Sequence, residues 1–147
     1  MECLFCKIIK KEIPAEIIYE DGKTLAILDI NPRSPGHTMV LSKFHSETIL
    51  DLPEKEIEPL FLAVKKVTEL IEKALKLEGF TIGINHGKIS GQVVDHLHIH
   101  IIPRFRNDGG SSVHSVVNNP PKQSLKEIKS QIISLREIPR SGIKFNK

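Results

Sequence analysis

The chain has 147 residues, 39% of them hydrophobic and 27% charged, with a net charge of +3. That is the length of one ordinary domain, able to bury a core without disulfide staples, and it holds no apolar run long enough to span a membrane. The small charge, with bases and acids interleaved, argues against a nucleic-acid partner and suits a small anionic ligand.

Met1-Glu2-Cys3 lacks the basic and apolar regions of a signal peptide, so a cytoplasmic location is expected. Cys3-Leu4-Phe5-Cys6 follows at once. A disulfide is disfavoured in a reducing compartment, and a redox pair normally opens a helix after a strand. Two thiolates supply half of a tetrahedral zinc shell, and the chain has seven histidines to complete a Cys2His2 set. The plain alternative is a pair of small buried thiols.

Phe5 to Lys10 reads as a short helical turn. Ile17-Ile18-Tyr19 and Leu25 to Leu28 are β-favouring runs joined by the turn signal Asp21-Gly22, which predicts a hairpin. Asn31 to Gly36 is a loop, and His37 to Leu41 reads as a strand. Asp51-Leu52-Pro53-Glu54 has the form of a capping signature with Pro in the first turn. The helix it opens carries Ile57, Leu60, Phe61, Val64, Val67, Ile71, Ala74 and Leu75 as one apolar stripe, with Pro59 early and Gly79 at its end. Phe80 to Ile84 is a strand, followed by the polar loop Asn85 to Gln92.

His96-Leu97-His98-Ile99-His100-Ile101 then alternates without a break. That is the strand period, so the three imidazoles leave one face and the aliphatic residues enter the core. A fold gains nothing from such a row, because histidine is costly to bury. A solvated strand face, a zinc site made by all three rings, and a phosphate pocket with a histidine nucleophile are each compatible with the spacing. Arg104 to Asn119 reads as irregular, and Ser124-Leu125-Lys126-Glu127 is a second capping box opening a helix with Leu125, Ile128, Ile132 and Leu135. The last few residues are expected to be loose. Consecutive strands around one long helix argue for an α+β class with an antiparallel sheet.

The histidine row resembles the motif of the histidine-triad (HIT) family of nucleotide hydrolases and transferases. Leu25 to Pro32 is similar to the family's nucleoside-binding strand, and Pro35-Gly36-His37 through His45 to its next block. Cys3 to Ile9 with Glu12-Ile13-Pro14 resembles the N-terminus of zinc-bearing prokaryotic members. The likeness runs from about Cys3 to Pro103. It implies a single HIT domain over residues 1–147, with a core at about 3–103 and a C-terminal extension at 104–147 that carries a helix. It also implies a sheet of about five strands, one long helix, and a homodimer whose sheets join.

The resemblance further implies a purine nucleotide such as AMP bound over the triad. His98 is then the nucleophile at the α-phosphorus, giving a nucleotidyl-histidine that water cleaves. His100 donates to a phosphate oxygen, and His37 orients the triad. Backbone near Gly91 and the amides of Asn85 and Gln92 serve the phosphate, and Asp29 accepts from the ribose. Phe5, Ile8, Ile27, Leu28 and Ile30 line the base pocket, although each reads equally well as a core residue. Cys3, Cys6, His45 and His96 carry over as ligands of a structural zinc, and no organic cofactor is implied. Val93 stands where many phosphoramidate hydrolases of the family have Ser or Thr, while Asn85 favours that same branch, so the leaving group stays open. A nucleotide-binding regulatory dimer with little catalytic activity is the alternative. A zinc hydrolase using all three histidines is a more distant one.

Overall fold

The computed structural model describes residues 3–137, so the expectation for the last few residues lies outside it. A hairpin opens the sheet, with β1 at Ile17–Glu20 and β2 at Thr24–Leu28. Its turn is closed by Asp21, whose Oδ1 accepts from the backbone N–H groups of Lys23 and Thr24. Strand β3 covers Thr38–Ser42, β4 Gly79–Gly83 and β5 His98–Arg104. The order is β1-β2-β3-β5-β4, with every neighbouring pair antiparallel.

The sheet is covered on both faces, which is why β3 is buried along its whole length. On one side α2, Glu54–Leu75, sets Leu60, Ala63, Val64, Val67 and Ile71 against Ala26, Val40, Leu97, Ile99 and Ile101. On the other, the short helix α1, Leu4–Ile9, sets Phe5 and Ile8 against Leu25, Ile27, Met39 and Leu41. The alternation predicted for the histidine row therefore holds. Its aliphatic residues face α2, and its histidines take the side of α1.

The helix boundaries differ from the sequence reading. Asp51 does not cap α2. Its carboxylate turns back to accept from the N–H groups of Glu47 and Thr48 and from the Thr48 hydroxyl. Pro53 takes the N-cap position with no side-chain cap, so the short-range turn outcompetes the cap for the carboxylate. At the other end Lys76, not Gly79, adopts the left-handed conformation, with φ 54° and ψ 52°. Leu77 is buried behind it, which fixes the chain reversal three residues early and frees Gly79 to begin β4. The buried stripe also shifts: Ala63 enters it, while Phe61 and Leu75 are about two-fifths exposed.

A compact unit ends at Ser112 and a second begins at Val113. Residues 104–112 stay with the first because Arg104 pairs with Asp108 and also donates to Thr81 Oγ1 and the Ser111 carbonyl. In the second unit α3, Leu125–Ser134, begins with the expected capping box between Ser124 and Glu127. Among the described residues no helix is long and apolar enough to cross a membrane.

The left-handed Lys76 gives a test. A side chain in that conformation costs about 1 kcal/mol that glycine avoids. Lys76→Gly is expected to raise stability by about that amount, read as a higher urea midpoint. An unchanged or lower midpoint would count against the assigned helix end.

Candidate functional site

Strand β5 pairs with β3 so that His98 lies opposite Leu41 and His100 opposite Met39. Both rings thus stand on the α1 face, 5.0 Å apart between centroids. They line a cavity of about 440 Å³, within the size range of small-ligand sites. Of the expected base-pocket residues, Phe5, Ile8, Ile27, Leu28 and Ile30 all line it, and Ile30 is largely exposed at its edge. Asp29, Asn85 and Gly91 also reach it.

The proton on each imidazole follows from its neighbours. A carbonyl can only accept, so the 2.8 Å contact from His96 Nε2 to the Ser42 oxygen places the His96 proton on Nε2 and leaves Nδ1 bare. The 2.7 Å contact from His98 Nδ1 to the His96 carbonyl places the His98 proton on Nδ1 and leaves the Nε2 lone pair available. His37 works the other way. Its Nδ1 accepts from the Arg33 backbone N–H at 3.1 Å, so its proton sits on Nε2. That N–H donates to His100 Nδ1 at 2.9 Å, which puts the His100 proton on Nε2. The site thus offers one nucleophilic nitrogen and one N–H donor side by side.

These assignments require neutral rings. Burial holds His100 down to about 4, aided by His98 and His37 and opposed by Asp29. Burial also lowers His37, with Asp29 opposing and Arg33 assisting. Asp29 accepts from the Asn31 N–H through Oδ1, and its Oδ2 lies 3.6 Å from His37 Nε2 and 3.9 Å from His100 Nδ1. It acts on the pair through its field rather than through a hydrogen bond.

The second cluster gathers Cys3, Cys6, His45 and His96, whose ligand atoms all lie within 4.8 Å of one another. Sulfur to nitrogen distances are 3.4 Å for Cys3–His96, 3.4 Å for Cys6–His45 and 3.6 Å for Cys6–His96. The two Nδ1 atoms are 3.3 Å apart. Zinc–ligand bonds of about 2.0–2.3 Å imply tetrahedral edges of roughly 3.3–3.8 Å, so the four atoms fit a zinc shell. The bare Nδ1 of His96 points into it, with its opposite N–H held by Ser42 as metal-bound imidazoles require. Asp29, His37 and His100 also lie close together, but their central 2.9 Å contact is a hydrogen bond with one proton, which is shorter than such an edge. His96 turns its bare Nδ1 to the thiols and His98 gives its Nδ1 to the His96 carbonyl, so the geometry does not favour a zinc held by all three triad rings.

Gln92 departs from expectation. Its amide is buried and spent on the fold: Oε1 accepts from Gly87 N–H, and Nε2 donates to the carbonyls of Glu47 and Val94. It braces the loop instead of facing the cavity. Met39 was missed as a lining residue, although the alternation from His37 along β3 places it on the triad face. Asn31 and Val94 also line the cavity, and no pattern in the sequence marked them. His86 is exposed and His114 lies in the second unit.

The lowered His100 has a consequence for stability. Above pH 6.5 the ring is neutral folded or unfolded, and the contribution is complete. Below 6.5 the unfolded chain takes up a proton that the folded one refuses, so stability falls until about pH 4. Urea midpoints are expected to drop across that window, and His100→Gln is expected to flatten the drop. An equally steep fall in the variant would count against the assignment.

A family model described as the HIT domain matches residues 10–107. An uncharacterised HIT-like protein of Methanocaldococcus jannaschii is 46% identical over 128 residues, covering 86% of this chain and 98% of its own. An adenosine 5'-monophosphoramidase of Schizosaccharomyces pombe is 40% identical over 77% of this chain and 82% of its own. An adenylylsulfatase of Arabidopsis thaliana is 40% identical over 73% of this chain and 54% of its own. Among solved structures, a HIT-family protein of Bacillus subtilis superposes with a TM-score of 0.81 at 30% identity, covering 99% of this chain and 100% of that one. A zinc-bound histidine-triad protein of Mycobacterium smegmatis gives 0.69 at 30% identity, covering 91% and 97%. With the matched model spanning the five strands and all three histidines of β5 and its approach, the chain belongs to the HIT family.

Proposed function

We propose that this chain is a hydrolase or nucleotidyltransferase that binds the AMP half of its substrate and cleaves at the α-phosphorus through His98. The observation that carries the reading is the 2.7 Å bond from His98 Nδ1 to the His96 carbonyl, which leaves a lone pair on Nε2 beside the cavity. Neutral imidazole is a good nucleophile, and covalent capture divides one displacement into two. The Nε2 pair attacks phosphorus, and the bond to the leaving group breaks with its electron pair. Water then attacks the nucleotidyl-histidine, the P–N bond breaks and AMP departs. His100 Nε2–H donates to a phosphate oxygen as charge builds there. Asn85 and backbone N–H groups near Gly91 assist, and Asp29 takes the ribose hydroxyls. Two relatives of about equal identity carry the names of enzymes for a phosphoramidate and for a sulfate anhydride of AMP. Their common substrate part is the nucleotide, which is the part that the cavity wall would read.

Zinc at Cys3, Cys6, His45 and His96 is structural in this reading. Four side chains complete a tetrahedron, so no position remains for substrate. A structural neighbour described as zinc-bound supports zinc as the metal, and the spacing of the four donors supports the set. The chain is further proposed to form a homodimer through edge strand β4. Exposed Ile82 on that strand and exposed Phe61, Leu62 and Leu70 on α2 would be covered by a second copy.

Two measurements test this. With adenosine phosphoramidate and diadenosine tetraphosphate as substrates, His98→Ala is expected to lower AMP release by more than roughly 10³-fold while AMP still binds. No release from either substrate by the wild type would favour a nucleotide-binding regulatory dimer. Removing zinc with a chelator is expected to lower Tm by at least about 5 °C and to spare kcat in the protein that stays folded. Lost turnover with intact AMP binding would assign the metal a chemical role.

A further inference from the structure

We propose that Phe5 couples the Cys2His2 cluster to the cavity, so that metal in the cluster and a nucleoside monophosphate in the cavity strengthen each other's binding. The proposal rests on the nucleotide reading above and adds a linkage to it.

The argument begins with α1. Six residues are far too few for a helix to hold itself, and its N-cap Cys3 makes no side-chain cap. Its order comes from what its ends and faces touch. Cys3 and Cys6, one turn apart, belong to the metal-ligand set. Leu4 and Phe5, the residues between them, line the cavity. The same turn therefore carries two metal ligands and a piece of cavity wall.

Phe5 is the shared member. It is 4% exposed, and its ring stands edge-on to two imidazoles. One is His96, with centroids 5.9 Å apart and planes at 83°. The other is His98, at 5.2 Å and 74°. A ligand packed on this wall holds α1 against the sheet, and that keeps both sulfurs at ligating distance from His45 and His96. Metal in the cluster holds the same turn and so preforms the wall. The element with two arrangements is α1, docked or undocked, and both ligands favour the docked one. By thermodynamic reciprocity the two effects are equal in size. Phe5 is thus a positioning residue: it reaches the reacting centre through the His98 ring.

The test uses the zinc-loaded full chain and a chromogenic chelator in excess. Saturating AMP is expected to slow zinc release by roughly fivefold or more. Phe5→Leu keeps an apolar side chain but loses the ring edge. In this variant AMP is expected to bind more weakly than to the zinc-loaded wild type, because the residue lines the cavity and the coupling is lost, and at saturating AMP to leave zinc release unchanged. Zinc-free wild type should bind AMP more weakly, by the factor with which AMP raises the equilibrium affinity for zinc. Unchanged release in the wild type overturns the proposal, whatever the variant does. Equal slowing in both proteins also overturns it, since global stabilisation would then explain the effect. A chain that does not bind AMP at all removes the nucleotide reading first. AMP binding without an effect on zinc removes only the coupling.

Discussion

Main-chain groups decide where the proton sits on each working imidazole. The Ser42 carbonyl claims one His96 nitrogen, the His96 carbonyl claims one on His98, and the Arg33 amide claims one on His37. What each ring has left over is its role: a lone pair toward the thiols, a lone pair toward the cavity, an N–H handed on to His100. Everything chemical about the site follows from these three contacts, and the contacts follow from the sheet. The register of β3 against β5 sets Ser42 beyond Leu41 and so within reach of His96, two residues before the His98 pairing.

Strand β5 also divides the molecule's labour. Leu97, Ile99 and Ile101 are almost wholly buried under α2, and each such side chain contributes about 1.5–3 kcal/mol. The histidines on the opposite face are a net cost, seen in the depressed basicity of His96, His37 and His100. One strand thus earns stability on one side and spends part of it on the other. The long helix anchors the strand from the side on which no chemistry occurs.

The sheet, both main helices and the two-faced histidine row were legible because each is a periodic or local signal. The Cys3, Cys6, His45 and His96 set was not legible from spacing, since residues 90 positions apart leave no local trace. It came through likeness to a family, and the coordinates then brought its four donors together. The misreadings share one cause. Asp51 was expected to cap α2, Gly79 to end it and Gln92 to serve the phosphate, whereas in each case a competing contact took precedence. Asp51 turned back on Thr48, Leu77 sought the core ahead of Gly79, and the Gln92 amide braced Glu47 and Gly87. Such competition is settled by packing, which a linear pattern does not contain. Likewise Phe61 reads as part of the α2 stripe by spacing alone, and only the direction of the sheet excludes it.

The Arg33 amide has a last consequence. A peptide group cannot be exchanged by substituting its side chain, and its N–H is lost only to proline. The same holds for the two carbonyls that orient His96 and His98. Genetic drift can therefore reshape the cavity wall freely while the tautomers stay put, inherited with the path of the chain. A lineage built this way can recut the wall around a fixed arrangement of donors and lone pairs.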